Sequence, residues 1–211
     1  MKIPILFYIM LFIECLIAVW VLFRWKHSTV QLRLLILLLV VAPVIAIADL
    51  WMALYGIRNL WVTHISTLIE YVLILSMCYL WKPKIIDKRI LMIGILAFIV
   101  LWIVSKFTFE TLYRSDIYTS AIAKILEIIA AALLLFDVLG DSDVVVKTDA
   151  RVWVSSGIII YSAGTLFLFA LQNMMLDNSP DLIKTLWPIN WILSIVFTFL
   201  LARGVWCRAI P

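Results

Sequence analysis

Charge is scarce in this sequence. Asp, Glu, Lys and Arg make up 14% of its 211 residues, while hydrophobic residues make up 66%. A soluble domain is about a quarter charged and roughly half apolar. No stretch is polar enough to wrap an apolar core in a charged surface, which excludes a soluble domain anywhere along the chain. Histidine occurs only as His27 and His64, in different segments. Two separated histidines cannot build the multi-histidine site of a membrane zinc hydrolase. Cysteine is limited to Cys15, Cys78 and Cys207. An odd, scattered set argues against disulfides and reads as small apolar packing residues. No Gly/Ser linker, G-x-S-x-G elbow, Walker loop or dinucleotide fingerprint is present. No catalytic set, metal site or cofactor is therefore assigned. The net charge of +4 and pI near 9.0 read as basic loops, not as a nucleic-acid surface.

What remains is hydrocarbon in blocks. A bilayer-spanning helix takes about 20 mostly apolar residues. Seven runs approach or meet that length: 3–23, 34–56, 60–81, 90–106, 118–139, 153–175 and 184–203. The expected fold is an all-α, polytopic membrane protein. The whole chain, 1–211, forms a single seven-helix transmembrane domain, with the lipid bilayer as its first partner. Residues 56–59 are barely a turn, so the second and third helices are antiparallel neighbours. The first run lacks a small-residue cleavage site and is followed by Arg24-Trp25-Lys26. It reads as a retained helix, not as a removed leader. Lys and Arg concentrate in cytoplasmic loops. One side of the seven runs carries eleven of them, from Arg24 to Arg208, and the other side carries Lys2, Arg58, Lys106, Arg114 and Lys184. This bias predicts the N-terminus outside and the C-terminus in the cytoplasm. Trp and Tyr near the run ends read as interfacial anchors.

The polar residues inside these runs carry the functional signal. A charge at the bilayer centre costs at least about 2.5–3.5 kcal/mol. Yet the runs hold Glu14, Asp49, His64, Glu70, Lys124 and Glu127, with uncharged Gln172-Asn173 and Asn190. Nearly all lie between the outer end and the midplane, which predicts a polar cavity in the outer half. Three glutamates, Glu14, Glu70 and Glu127, each follow an apolar pair at similar depth. At 100° per residue, Asn59, Thr63, Ser66, Thr67 and Glu70 share one stripe of the third helix, with His64 at its edge. The opposite face, with Leu60, Leu68, Ile69 and Val72, suits lipid or packing. Lys124 and Glu127 are three apart and close enough to pair. Pro43 precedes Asp49 and is expected to kink the second helix. Pro188 opens the last helix, where Asn190 and Trp191 floor a pocket. The candidate ligand-binding residues are Glu14, Asp49, His64, Thr67, Glu70, Lys124, Glu127, Asn190 and Trp191.

Two familiar seven-helix chemistries are excluded. A retinal Schiff base needs a lysine deep in the last helix, and that run has only Lys184 at its mouth. The D/E-R-Y and N-P-x-x-Y signatures of G-protein-coupled receptors are missing as well. Two stretches do point elsewhere. "NLWVTHISTLIEY" resembles a third-helix pattern N-x-W-x-x-H/N-I-Y-T-x-x-E. "WVSSGIIIYSAGTLFLF" resembles W-x-x-x-G-x-x-x-Y-x-x-G-x-x-x-F, and "LWPINWILSIVFTFLLARG" fits the same family's last helix. The chain thus resembles small seven-helix inner-membrane proteins of unassigned function from Bacteroidetes-type bacteria. Ser66 stands where a Tyr is common in that family. The resemblance implies a multi-pass protein of the bacterial inner (plasma) membrane. Because such genes often sit near histidine kinases, it also implies a signalling partner of that kind. The leading expectation is a receptor-like sensor that takes a small or amphipathic ligand in the outer cavity and signals through a separate partner. A proton-coupled or small-molecule transporter is the first alternative. An intramembrane lipid-modifying enzyme, with Glu70 or Asp49 and His64 as acid and base, is the second.

Overall fold

The computed structural model describes residues 4–81, 87–113, 116–141, 145–178 and 180–207, with backbone alone over 170–178 and 180–185. Lys2, Lys82, Lys84, Arg114 and Arg208, and the side chains of Gln172, Asn173 and Lys184, lie outside what is described. Seven α-helices fill the described chain: α1 (Ile5–Leu22), α2 (Val30–Leu54), α3 (Leu60–Trp81), α4 (Lys88–Thr108), α5 (Ile117–Leu139), α6 (Ala150–Asn178) and α7 (Pro180–Trp206). Single 3₁₀ turns sit at Trp25–His27 and Val146–Thr148. No strand occurs among the described residues.

Long apolar runs make these helices, and local chemistry sets their ends. Asp87 caps α4 by accepting the Arg89 amide at 3.0 Å, and Asp149 does the same for α6 through Arg151 at 2.7 Å, each satisfying an orphan N–H of the first turn. Gly56 takes φ +68 in the turn between α2 and α3, a left-handed conformation that glycine adopts without penalty. α7 begins at Pro180, where a missing amide costs nothing. Pro188, expected in the first turn of the last helix, therefore lies well inside α7. α2 runs through Pro43 as one continuous helix.

Six of the seven helices are long and apolar enough to cross a membrane. The chain has the architecture of a multi-pass membrane protein. α5 is the remaining helix; it spans 23 residues and carries Lys124 and Glu127 in its central turns. The outward faces support the membrane setting. Ile5, Phe12, Leu16 and Val19 of α1 and Ile90, Ile93, Leu96 and Val100 of α4 are all exposed. Contiguous apolar surface of this extent is unfavourable in water and suits acyl chains.

α1, α2, α3, α5, α6 and α7 form a ring, with α7 closing back onto α1. α4 stands outside it, against α3 and α5. The two halves of the ring differ. In the half near the α1–α2 and α5–α6 connections, Val21, Leu35, Met77, Leu134, Val154 and Val205 are all but fully buried in one apolar core. α2 also meets α7 there. Gly204 permits a close approach of α6 and α7 at the same level, because a Cβ on it would fall 2.6 Å from Val154 Cγ2. The sixth-helix pattern is the α6–α7 seam. Gly157 faces Leu200, Gly164 faces Leu193, and Tyr161 stacks on Phe197 at 4.5 Å. Small residues let two helices pack closely in this way. Aromatic and basic side chains belt this end. Trp20 stacks on Trp206 at 4.6 Å, and Arg24 lies over the same indole.

Candidate functional site

The other half of the ring is not filled. It holds a part-enclosed cavity of about 580 Å³, within the 300–1,000 Å³ range of ordinary ligand sites. Every ring helix contributes wall, and α4 contributes none. Thr63, Ser66, Thr67 and Glu70 line it from one side of α3, so the polar stripe read at 100° per residue does face inward. Leu60 and Ile69, expected to face lipid or packing, add apolar wall beside that stripe. The cavity takes in more of the helix circumference than a narrow polar stripe.

Lys124 is the electrostatic centre. Its Nζ lies 2.9 Å from Glu70 Oε2 on α3 and 2.9 Å from Glu127 Oε2 one turn along α5. The ammonium also sits 4.8 Å from the centroid of Tyr161, over the ring face, a favourable cation–π placement. Ser162 on α6 donates to Glu127 Oε2 at 2.8 Å. Lysine thus ties α3, α5 and α6 together in one buried knot. Pairing offsets the burial of all three charges.

Three further carboxylates line the cavity. Glu14 of α1 is 3% exposed and accepts from Ser194 Oγ of α7 at 2.6 Å. Asp116, just before α5, accepts from Ser120 at 2.6 Å and from Thr67 at 2.7 Å. Asp49 sits near the end of α2, and its Oδ1 is buried with no hydrogen-bond partner. Leu39, whose carbonyl loses its helical donor at Pro43, is also on the wall. Asn190 and Trp191 line it from α7, with Trp191 edge-on to Phe7 at 5.9 Å.

Seven of the nine residues singled out in the sequence, Glu14, Asp49, Thr67, Glu70, Lys124, Asn190 and Trp191, are therefore brought to one cavity. His64 and Glu127 are not on its wall. Glu127 is fully buried behind Lys124. His64 turns instead toward α4, because α4 covers that flank of α3. It is fully buried, and its Nδ1 lies 2.6 Å from Lys106 Nζ.

Lys106 belongs to a second polar cluster between α3, α4 and α5. It pairs with Glu110 at 3.2 Å and reaches Thr119 Oγ1 at 3.3 Å. Glu110 accepts the Tyr118 amide at 2.8 Å and the Thr119 hydroxyl, closing the first turn of α5. Trp102 Nε1 donates to the His64 carbonyl at 3.0 Å. Lys106 is thus no loop charge. Removing it from the tally leaves Lys2, Arg58, Arg114 and Lys184 as the basic residues on that side of the seven runs.

The sequence reading missed Asp116, Lys106 and Glu110. Asp116 had a visible signal, an N-cap residue type directly before an apolar run. Lys106 and Glu110 had none, because both sit at the margin of a short run and look like loop residues.

No protein-family model matches the chain, and neither a curated protein nor a solved structure is significantly similar to it.

Proposed function

We propose that this chain is a receptor-like sensor in a bacterial inner membrane, with seven spans, the N-terminus outside and the C-terminus in the cytoplasm. A small or amphipathic ligand enters the polar cavity, and a separate partner, such as a histidine kinase, reads the resulting helix shift. The observation that carries this reading is the contrast between the two halves of the ring. One half holds a 580 Å³ cavity with convergent polar groups; the other half is an apolar core. α5 supports the seventh span: 23 residues rise about 35 Å, and its charges point into the ring, not at lipid. The surplus of Lys and Arg at the packed end supports the orientation. The kinase partner rests on the family resemblance of the third-helix and sixth-helix patterns.

The alternatives fit less well. A carrier needs a polar route on both sides of its site, and the residues below Lys124 are apolar and tightly packed. An acid–base enzyme using Glu70 or Asp49 with His64 needs them at one substrate, and His64 lies off the cavity wall.

Native mass spectrometry of the protein drawn gently from its own membranes tests the reading. Wild type should carry one stoichiometric small molecule, and Glu70→Gln and Lys124→Ala should lose it. Proteoliposome flux of that molecule across the bilayer would move the assignment to a carrier. A wild-type protein that is always empty would remove the ligand site.

A further inference from the structure

The wall chemistry narrows the ligand. We infer that the cavity takes an organic cation, an ammonium carried on an apolar or aromatic body. This deepens the sensor reading and rests on it.

Among the described residues, the wall carries four carboxylates, Glu14, Asp49, Glu70 and Asp116, and a single cation, Lys124. Lys124 is already divided between two glutamates at 2.9 Å each. It has no unmet charge to offer an anion. Glu14 is the opposite case. It is nine-tenths buried or more, lines the cavity, and is held by one neutral hydroxyl, Ser194. Among the described residues it makes no ion pair. A carboxylate taken out of water needs a counter-charge, and the open space beside it is where one would sit.

The surroundings of Glu14 favour an organic cation over a metal ion. Ser194 holds the carboxylate from the middle of an aromatic row on α7. Trp191, one turn before it, meets Phe7 edge-on at 5.9 Å. Phe197, one turn after it, stacks on Tyr161 at 4.5 Å. A carboxylate that shares its wall with the rings of Phe7 and Trp191 suits an alkylammonium group. No cluster of three or more His, Cys, Asp or Glu able to hold a metal occurs among the described residues. Leu38, Ala42, Ile45 and Ala46 of α2 supply apolar wall for the body of the molecule. Asp49 and Asp116 lie nearer the helix ends, where they favour entry of positive charge.

The test uses the full chain in nanodiscs and three probes of one shape: 2-phenylethylammonium, 2-phenylethanol and phenylacetate. Calorimetric titration should show the ammonium binding at least tenfold tighter than the alcohol, with no measurable binding of phenylacetate. Glu14→Gln should weaken the ammonium about tenfold and leave the alcohol unchanged, while Glu14→Asp keeps most of the preference. A melting temperature equal to wild type certifies that Glu14→Gln is folded. Equal binding of alcohol and ammonium, or a preference untouched by Glu14→Gln, overturns the cation assignment and leaves the cavity a ligand site. Binding of none of the three, with native mass spectra empty, overturns both.

Discussion

Replacing Lys124 with methionine keeps most of the unbranched side chain and removes its charge. The expected loss follows from the geometry. Lys124 Nζ is 2.9 Å from both Glu70 and Glu127, and its side chain is 5% exposed. Removing one partner of a buried ion pair costs about 3–5 kcal/mol, because the other charge is left buried and alone. The two arms do not weigh equally. Glu127 is 1% exposed and Glu70 is 21% exposed, so solvent screens the Glu70 arm more. Most of the loss belongs to Glu127, which Ser162 alone would then hold. Unfolding by graded denaturant in a fixed detergent measures the loss as a shift in midpoint. Lys124→Met alone should fall by about 3–5 kcal/mol. Lys124→Met with Glu127→Gln should fall by clearly less, since the fully buried carboxylate is then neutral and only the more exposed Glu70 has lost its partner. That non-additivity is the signature of a coupled pair. A single variant within about 1 kcal/mol of wild type, or strictly additive losses, would refute the knot as a stabilising unit.

Three other outcomes are expected. Gly204→Ala should destabilise the packed end by about 1–3 kcal/mol, because its Cβ would meet Val154 Cγ2 at 2.6 Å; pairing it with Val154→Ala should recover part of the loss in the same unfolding assay. His64→Ala should cost about 1–3 kcal/mol by stripping Lys106 of its closest polar contact, yet native mass spectra should show ligand occupancy unchanged, since His64 is off the cavity wall. Asp49→Asn should leave the empty protein equally stable or slightly more stable, because Asp49 Oδ1 is buried without a partner; a marked drop in melting temperature would mean that Asp49 is held by more than its visible contacts.

The sequence made the helices legible because their signal is long and one-sided. Runs of about 20 apolar residues have few alternatives in a chain with so little charge. The α3 stripe was legible for a related reason. Thr63, Ser66, Thr67 and Glu70 repeat at three and four residues, and that spacing fixes their common direction whatever the neighbours are. Neighbours themselves were not legible. His64 lies about 60° beyond Thr67 in angle, at the edge of the stripe, and only the placement of α4 beside α3 decides that it faces Lys106. Glu127 was paired correctly with Lys124, because three residues on one helix determine the contact. Glu70 was not assigned to the same lysine, since an α3–α5 contact depends on tertiary packing. The helix ends were blurred where polar and apolar residues mix, as at Pro180 and Pro188. There the start of α7 depends on which proline takes the first turn.

The polar cavity is part-enclosed, and the apolar core fills the ring beyond it. Cysteine labelling tests it most directly. Starting from a chain with Cys15, Cys78 and Cys207 changed to serine or alanine, single cysteines are placed at Ser66 and Asn190 on the wall, and at Met77 and Leu134 in the packed core. A small charged methanethiosulfonate is then applied to either face of sealed vesicles. Ser66→Cys and Asn190→Cys should react quickly from one face only, while Met77→Cys and Leu134→Cys stay unlabelled from both. Wall positions that react equally from both faces, or that resist the reagent as fully as the core, would contradict it.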